Sequence, residues 1–175
     1  MAWKGPDFSE AGSAELEMFA DLLGGSEISP LHQKLVKEQE LFNVAESFYM
    51  RGIGEGLFVV YGILNEDVSL ENGEKALLDV LNECLEGKIL TEEKVSMVKN
   101  KATTALLFEK SSLINKAQKL CFFENIGNLN GVNEENEQYQ KINLAQMISV
   151  AAATINPKTA SVIHYTPIKS TIHEF

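Results

Sequence analysis

Three histidines and two cysteines are the residues whose chemistry most invites a catalytic reading. A zinc site needs His or Cys ligands at short fixed spacings, or brought together from several elements. His32, His164 and His173 have no second His or Cys three or four residues away. His164, His173 and Glu174 could meet only near the C-terminus, where a tail without a core role is the simpler reading, and His164 itself reads as a partly buried, hydrogen-bonded residue in a strand. No metal site is therefore expected. Nucleophiles fare no better. There is no G-x-S-x-G elbow, and Ser26 follows a helical pattern where an elbow needs a strand. Cys84 and Cys121 lack the electropositive neighbours that activate a thiol, and each falls on apolar helical positions, so both are expected to be buried free thiols. Gly52-x-Gly-x-Gly56 imitates a phosphate cradle. Such a loop must run into a helix N-terminus, and this one runs into an apolar strand pattern, which predicts a hairpin turn.

A chain of 175 residues, 45% apolar and 23% charged, can bury one core. No apolar run reaches the length of a membrane-spanning helix, and the N-terminal residues hold no apolar run of the signal-peptide kind. The net charge of −10 argues against a nucleic-acid partner and favours basic ligands. Residues 91–119 depart from this balance, with six Lys against three Glu, and read as a solvated helix face.

The elements that must position any site follow from periodicity. Asp7 with Glu10 resembles a capping box that opens a first helix through Leu16, Phe19, Ala20 and Leu23. Gly24-Gly25 should end it with a left-handed cap. Ser29-Pro30 starts a short second helix through Leu31, Leu35 and Val36. Residues 43–51 and 57–64 then read as a β-hairpin, and the second strand is apolar enough to be central and covered on both faces. Ser69 caps a helix through Leu77, Val80, Leu81 and Cys84 that ends at Gly87. Thr91 opens the longest helix, with a break at Ser111-Ser112 and a further helix carrying Leu113, Ile114, Ala117, Leu120 and Cys121. A Gly/Asn loop spans 125–133. Asn143 with Gln146 caps a helix that Asn156-Pro157 ends, and residues 160–166 form a closing strand. Residues 1–4 read as the tail of a further strand, truncated at its start. The class is α+β: a two-layer sandwich of a mainly antiparallel sheet covered by helices.

Several strings in this order resemble one family. Leu22-Leu-Gly-Gly-Ser26 with Ser29-Pro-Leu31, then Leu35-Val-Lys-Glu-Gln39 with Leu41, resemble segments of the insulinase/pitrilysin-type zinc metallopeptidases. So do Gly56-Leu-Phe58, Ile89-Leu-Thr-Glu-Glu93 with Lys99-Asn-Lys101, and Ile155-Asn-Pro157 with Tyr165-Thr-Pro167. The resemblance implies a half-domain over residues 1–168, of the kind found in mitochondrial processing peptidase, with a tail at 169–175. In this family one half carries an inverted H-x-x-E-H zinc motif and another closes a chamber over a peptide. This chain has no such motif, so the resemblance implies the C-terminal half, with no cofactor in this chain and zinc in the partner half-domain. It also implies an Arg and a Tyr, seven apart, that steady the substrate carbonyl. The matching positions here hold Val36 and Asn43, so no catalytic residue carries over.

The expected function is thus that of a non-catalytic half-domain of a zinc metalloendopeptidase that encloses peptide. The alternative is an inactive structural or assembly subunit of the same family. The partners implied are a catalytic half-domain, in the same chain or another subunit, and a peptide. A domain parted from such a partner exposes an apolar face, so self-association is also expected. The resemblance is compatible with a bacterial periplasm or cytoplasm, and fixes neither. A small-molecule enzyme would instead need a deep pocket with converging titratable groups.

Overall fold

The computed structural model describes residues 1–166. Strand β1 spans Ala2–Gly5, β2 Phe42–Met50 and β3 Gly56–Leu64; helices α1 to α6 span Ser13–Gly24, Leu70–Leu85, Glu92–Glu109, Leu113–Asn125, Gly131–Lys141 and Leu144–Thr154. A π-helical segment, His32–Glu38, precedes β2, and a 3-10 turn, Pro157–Thr159, follows α6. The antiparallel sheet has the order β1-β3-β2. The expected α+β class, with helices packed on an antiparallel sheet, holds.

Helix α1 is the hub. Nine of its twelve residues are buried, as befits a helix that is apolar nearly all round. It lies on β2 and contacts α3, α5 and α6. Its last turn seats on the sheet: Ser47 Oγ donates to Ala20 O at 2.8 Å, and a Cβ on Gly24 would lie 2.5 Å from the Ser47 backbone nitrogen. This close approach is what requires glycine, and it corrects the expectation of a left-handed cap. Gly25 closes the helix at φ −82°. The expected helix start at Asp7 is also corrected. Asp7 and Glu10 do bond reciprocally, with Glu10 Oε2 accepting from Asp7 N at 2.9 Å and Asp7 O accepting from Glu10 N at 3.0 Å. They close a turn, and the helix begins at Ser13 after Gly12 at φ +92°.

Most of the remaining local signals hold. Ser69, Thr91, Ser112 and Asn143 cap α2, α3, α4 and α6 with their side chains, and Asn143 with Gln146 forms a full capping box. Gly87 ends α2 at φ +70°. The hairpin turns at residues 51–55, with Gly54 at φ +96°.

Five expectations fail. The loop predicted at 125–133 gives way to α5 from Gly131, a polar helix that buries little beyond Tyr139. The closing strand at 160–166 is reduced to one bridge, Ala2 with Ser161. His164 is accordingly exposed and bonds Glu74 at 2.8 Å, instead of lying partly buried in a strand. Cys84 is buried as expected, but Cys121 is exposed. Strand β3 is central as expected, yet its second face is open to solvent. His173 and the predicted tail lie outside the described residues.

Candidate functional site

The sheet buries one face and leaves the other bare. Ala45, Ser47, Tyr49, Phe58 and Val60 point into the core. The alternate residues Phe48, Met50, Leu57, Tyr61 and Ile63, with Ile53 on the hairpin turn, are between 38% and 61% exposed. Pairing of Phe48 with Val59, Met50 with Leu57 and Glu46 with Tyr61 draws these side chains into one patch. Phe48 and Tyr61 meet edge to face, with ring centroids 6.1 Å apart. Tyr61 donates its hydroxyl proton to Glu46, which raises the phenol above its ordinary pKa. Lys4 and Glu55 pair at 2.6 Å at the margin, both well exposed. The face can therefore take apolar side chains over most of its width and a basic group at Glu46.

Of the two positions singled out by sequence, Val36 lies on the neighbouring π-helical segment and Asn43 at the start of β2. Val36 sits in the π-helical segment, where Gln39 N–H bonds Lys34 O at 2.9 Å, five residues back. Its side chain is half-buried against the core and offers no donor. Asn43 is exposed and is the extra residue of a β-bulge: Phe42 pairs with Leu64 and Val44 with Ile63, so nothing opposes Asn43. Both irregularities are of kinds often found beside functional sites. Neither can be seen in composition or periodicity, because π geometry and bulges depend on what the segment packs against.

A buried polar hub lies on the helical side, and sequence reading missed it. Arg51, immediately after β2, has a 7% exposed side chain. It donates to Ser13 Oγ at 3.0 Å, Glu17 Oε2 at 2.9 Å, Tyr139 OH at 3.1 Å and Phe8 O at 3.2 Å. Its guanidinium stacks 3.9 Å from the Phe8 ring centroid. Tyr139 in turn donates to Glu17 Oε2 at 2.6 Å. Burial raises the Glu17 carboxyl above the usual range, although Arg51 and Tyr139 oppose it, and burial likewise raises Tyr139. Every member is satisfied, so the hub ties α1, α5 and the hairpin together and leaves no free acid or base.

Neither of two clefts among the described residues offers an alternative catalytic centre. One of 460 Å³ is bordered by Phe8, Phe122, Phe123, Glu109 and Glu135, but Lys119 lies against both carboxylates. Another, of 710 Å³, runs along α6, where Asn143 is engaged in its capping box. Burial pushes the Cys84 thiol up to about 12, the opposite of nucleophile activation. Among the described residues no group of three or more His, Cys, Asp or Glu is arranged to hold a metal. None of the described helices is long and apolar enough to cross a membrane.

Comparison with known proteins agrees with the expected family. No curated protein sequence matches the chain. Among similar solved structures, the inactive peptidase domain of a candidate zinc protease from Bordetella parapertussis superposes with a TM-score of 0.83 at 16% identity, over 98% of this chain and 92% of that one. A protease from Helicobacter pylori gives 0.80 at 20% identity, over 87% of this chain and only 36% of that one. A chain of Complex III2 from Candida albicans gives 0.72 at 14% identity, over 87% and 38%. These likenesses establish the fold. The family is established by sequence: the model described as the peptidase M16 inactive domain matches residues 1–102, more than half of the chain, and the chain therefore belongs to the M16 metallopeptidase family as one of its inactive, non-catalytic domains.

Proposed function

We propose that this domain is the non-catalytic half of a zinc metallopeptidase, residues 1–168 forming the half-domain, and that it encloses and helps to hold a peptide while a separate half-domain supplies H-x-x-E-H and zinc. The observation that carries the reading is the bare apolar sheet face of an inactive M16 domain, bordered by Glu46 and adjoining the bulged Asn43. A sheet face of this composition holds extended peptide by side-chain burial and discriminates little by sequence. The net charge of −10 favours basic segments.

Two measurements test it. Purified protein should contain no stoichiometric zinc by elemental analysis and should not cleave peptide alone; either positive result ends the reading. In isotope-edited NMR, a basic, partly apolar peptide should shift the amides of Phe48 and Tyr61 and leave those of α2 unmoved.

A structural or assembly subunit is the second reading. It is favoured by Val36 and Asn43, which lack the Arg and Tyr of active relatives, and by the likeness to a Complex III2 chain. An H-x-x-E-H motif encoded in the same or an adjacent gene separates the two: its presence supports the peptidase half, its absence the structural subunit.

A further inference from the structure

The outer face of the sheet is a ladder of rows. Side chains of β2 and β3 point outward at every second residue, and the register joins them crosswise: Val44 with Ile63, Glu46 with Tyr61, Phe48 with Val59, Met50 with Leu57. Lys4 of β1 extends the last row beyond Leu57. Rows two residues apart lie about 6.8 Å from one another, so the distance from the first row to the fourth is about 20 Å. Only the second row is acidic. Glu46 Oε2 accepts the Tyr61 hydroxyl proton, which leaves Oε1 free of any hydrogen bond among the described residues. Phe48, in the next row, stands edge to face with Tyr61, so a cation brought to Glu46 also meets aromatic rings. The last row ends instead on Lys4, which Glu55 holds.

We infer that this face selects peptides by spacing: an extended segment with apolar residues at alternate positions and one basic residue in the second of those places, counted from either end. The inference rests on the reading of the face as a peptide-holding surface and adds which peptides it holds. The face is indifferent to which apolar residues lie on it, and what it discriminates is where the basic residue stands among them. Strands β2 and β3 run nine residues each and β1 only four, so the surface is longer along the strands than across them. A peptide laid along them advances about 3.4 Å per residue, the same stride as the strands beneath, and sets one alternate side chain on every row. A helix presents its apolar side every 5.4 Å or so and falls about 4 Å out of step between the first row and the fourth. The charges fix the phase. In the second row a basic side chain meets Glu46. In the last it faces Lys4, and in the other two it is desolvated against apolar groups without a partner.

Three acetylated and amidated heptapeptides of one composition (one arginine, three isoleucines, three serines) test it. The first has isoleucine at positions one, five and seven and arginine at three. The second keeps the alternation but exchanges that arginine with the isoleucine at position one. The third keeps arginine at three and moves the isoleucines to one, four and five, which destroys the alternation. Titration of the isotope-labelled chain, followed by NMR at the amides of Phe48 and Tyr61, gives each Kd. The first peptide should bind roughly five- to tenfold more tightly than either isomer, as a surface ion pair supported by aromatic rings allows. In Glu46→Gln, an exposed change whose fold circular dichroism verifies, the first two peptides should bind alike. Three results would each overturn the inference and leave the face standing as a peptide surface: equal binding of the first two peptides to the native chain, binding of the third as tight as the first, or a preference that survives Glu46→Gln. If none of the three moves Phe48 or Tyr61, the peptide-holding reading itself falls and the inference falls with it.

Discussion

Replacing Arg51 by Met should reveal how much of the fold depends on one buried cation. The substitution keeps an apolar stem beside Phe8 and deletes four hydrogen bonds and the stacking contact. Glu17 is left with Tyr139 alone as a side-chain donor. Removing one member of a buried ion pair costs about 3–5 kcal/mol. The Glu17 side chain is 37% exposed, so water can solvate part of the orphaned carboxylate, and the expected loss is nearer 2–3 kcal/mol. For a domain of this size that corresponds to a fall in Tm of roughly 5–10 °C. The pH dependence gives a second, independent reading. Burial already holds Glu17 above the usual carboxylate range, and losing the guanidinium pushes it higher. An acid whose pKa is raised by folding contributes stability that is complete below its unfolded pKa and is lost as pH rises through its folded pKa. The deficit of Arg51→Met should therefore be largest near neutrality and shrink as the pH falls into the carboxylate range. Adding Glu17→Gln should recover part of it at pH 7. Urea denaturation followed by far-ultraviolet circular dichroism at several pH values measures all of this. A loss under about 1 kcal/mol, or a deficit that does not narrow with acidification, would refute the assignment of Arg51 as the charge that makes Glu17 tolerable.

Two further outcomes follow from packing and chemistry. Gly24→Ala should cost about 2–3 kcal/mol in the same denaturation assay, because the new methyl would meet the backbone and Oγ of Ser47 at 2.5 and 2.7 Å. A neutral result would mean that α1 can slide on β2. Iodoacetamide at neutral pH should label Cys121 in the native protein and Cys84 only after unfolding, since Cys84 is buried with its thiol at about 12. Mass spectrometry of the labelled peptides distinguishes the two.

What the sequence disclosed was local. Caps at Ser69, Thr91, Ser112 and Asn143 are legible because donor and acceptor lie three residues apart, and the hairpin because its glycines interrupt two apolar runs. Failures came where a partner decides. Helix α5 is almost wholly polar and forms because Tyr139 reaches Glu17 and Asn136 bonds Thr103 at 2.8 Å across from α3. Residues 160–166 have the composition of a strand but only Ser161 finds an edge to join. The apolar stripe of α4 is legible as a stripe, while its direction is not, since periodicity fixes which residues share a face and is silent on where that face points. At the candidate site, the apolar strand β3 could be read in advance; the bare outer face could not, because alternation and a two-sided core predict the same apolar run.

The bulge in β2 has a bearing on how this position can change over generations. Along the strand, Phe42 and Ala45 are both buried, three residues apart, a spacing that a regular two-residue alternation forbids. The unopposed Asn43 restores the phase. Deleting it would turn Phe42 outward, away from Gly62, whose missing Cβ leaves the room that the Phe42 ring fills. Residue identity here is nearly free, because the side chain stands in water and opposes nothing. Residue number is fixed. Such a position can drift in chemistry at almost no expense to folding, whereas a one-residue deletion would be purged as misfolding.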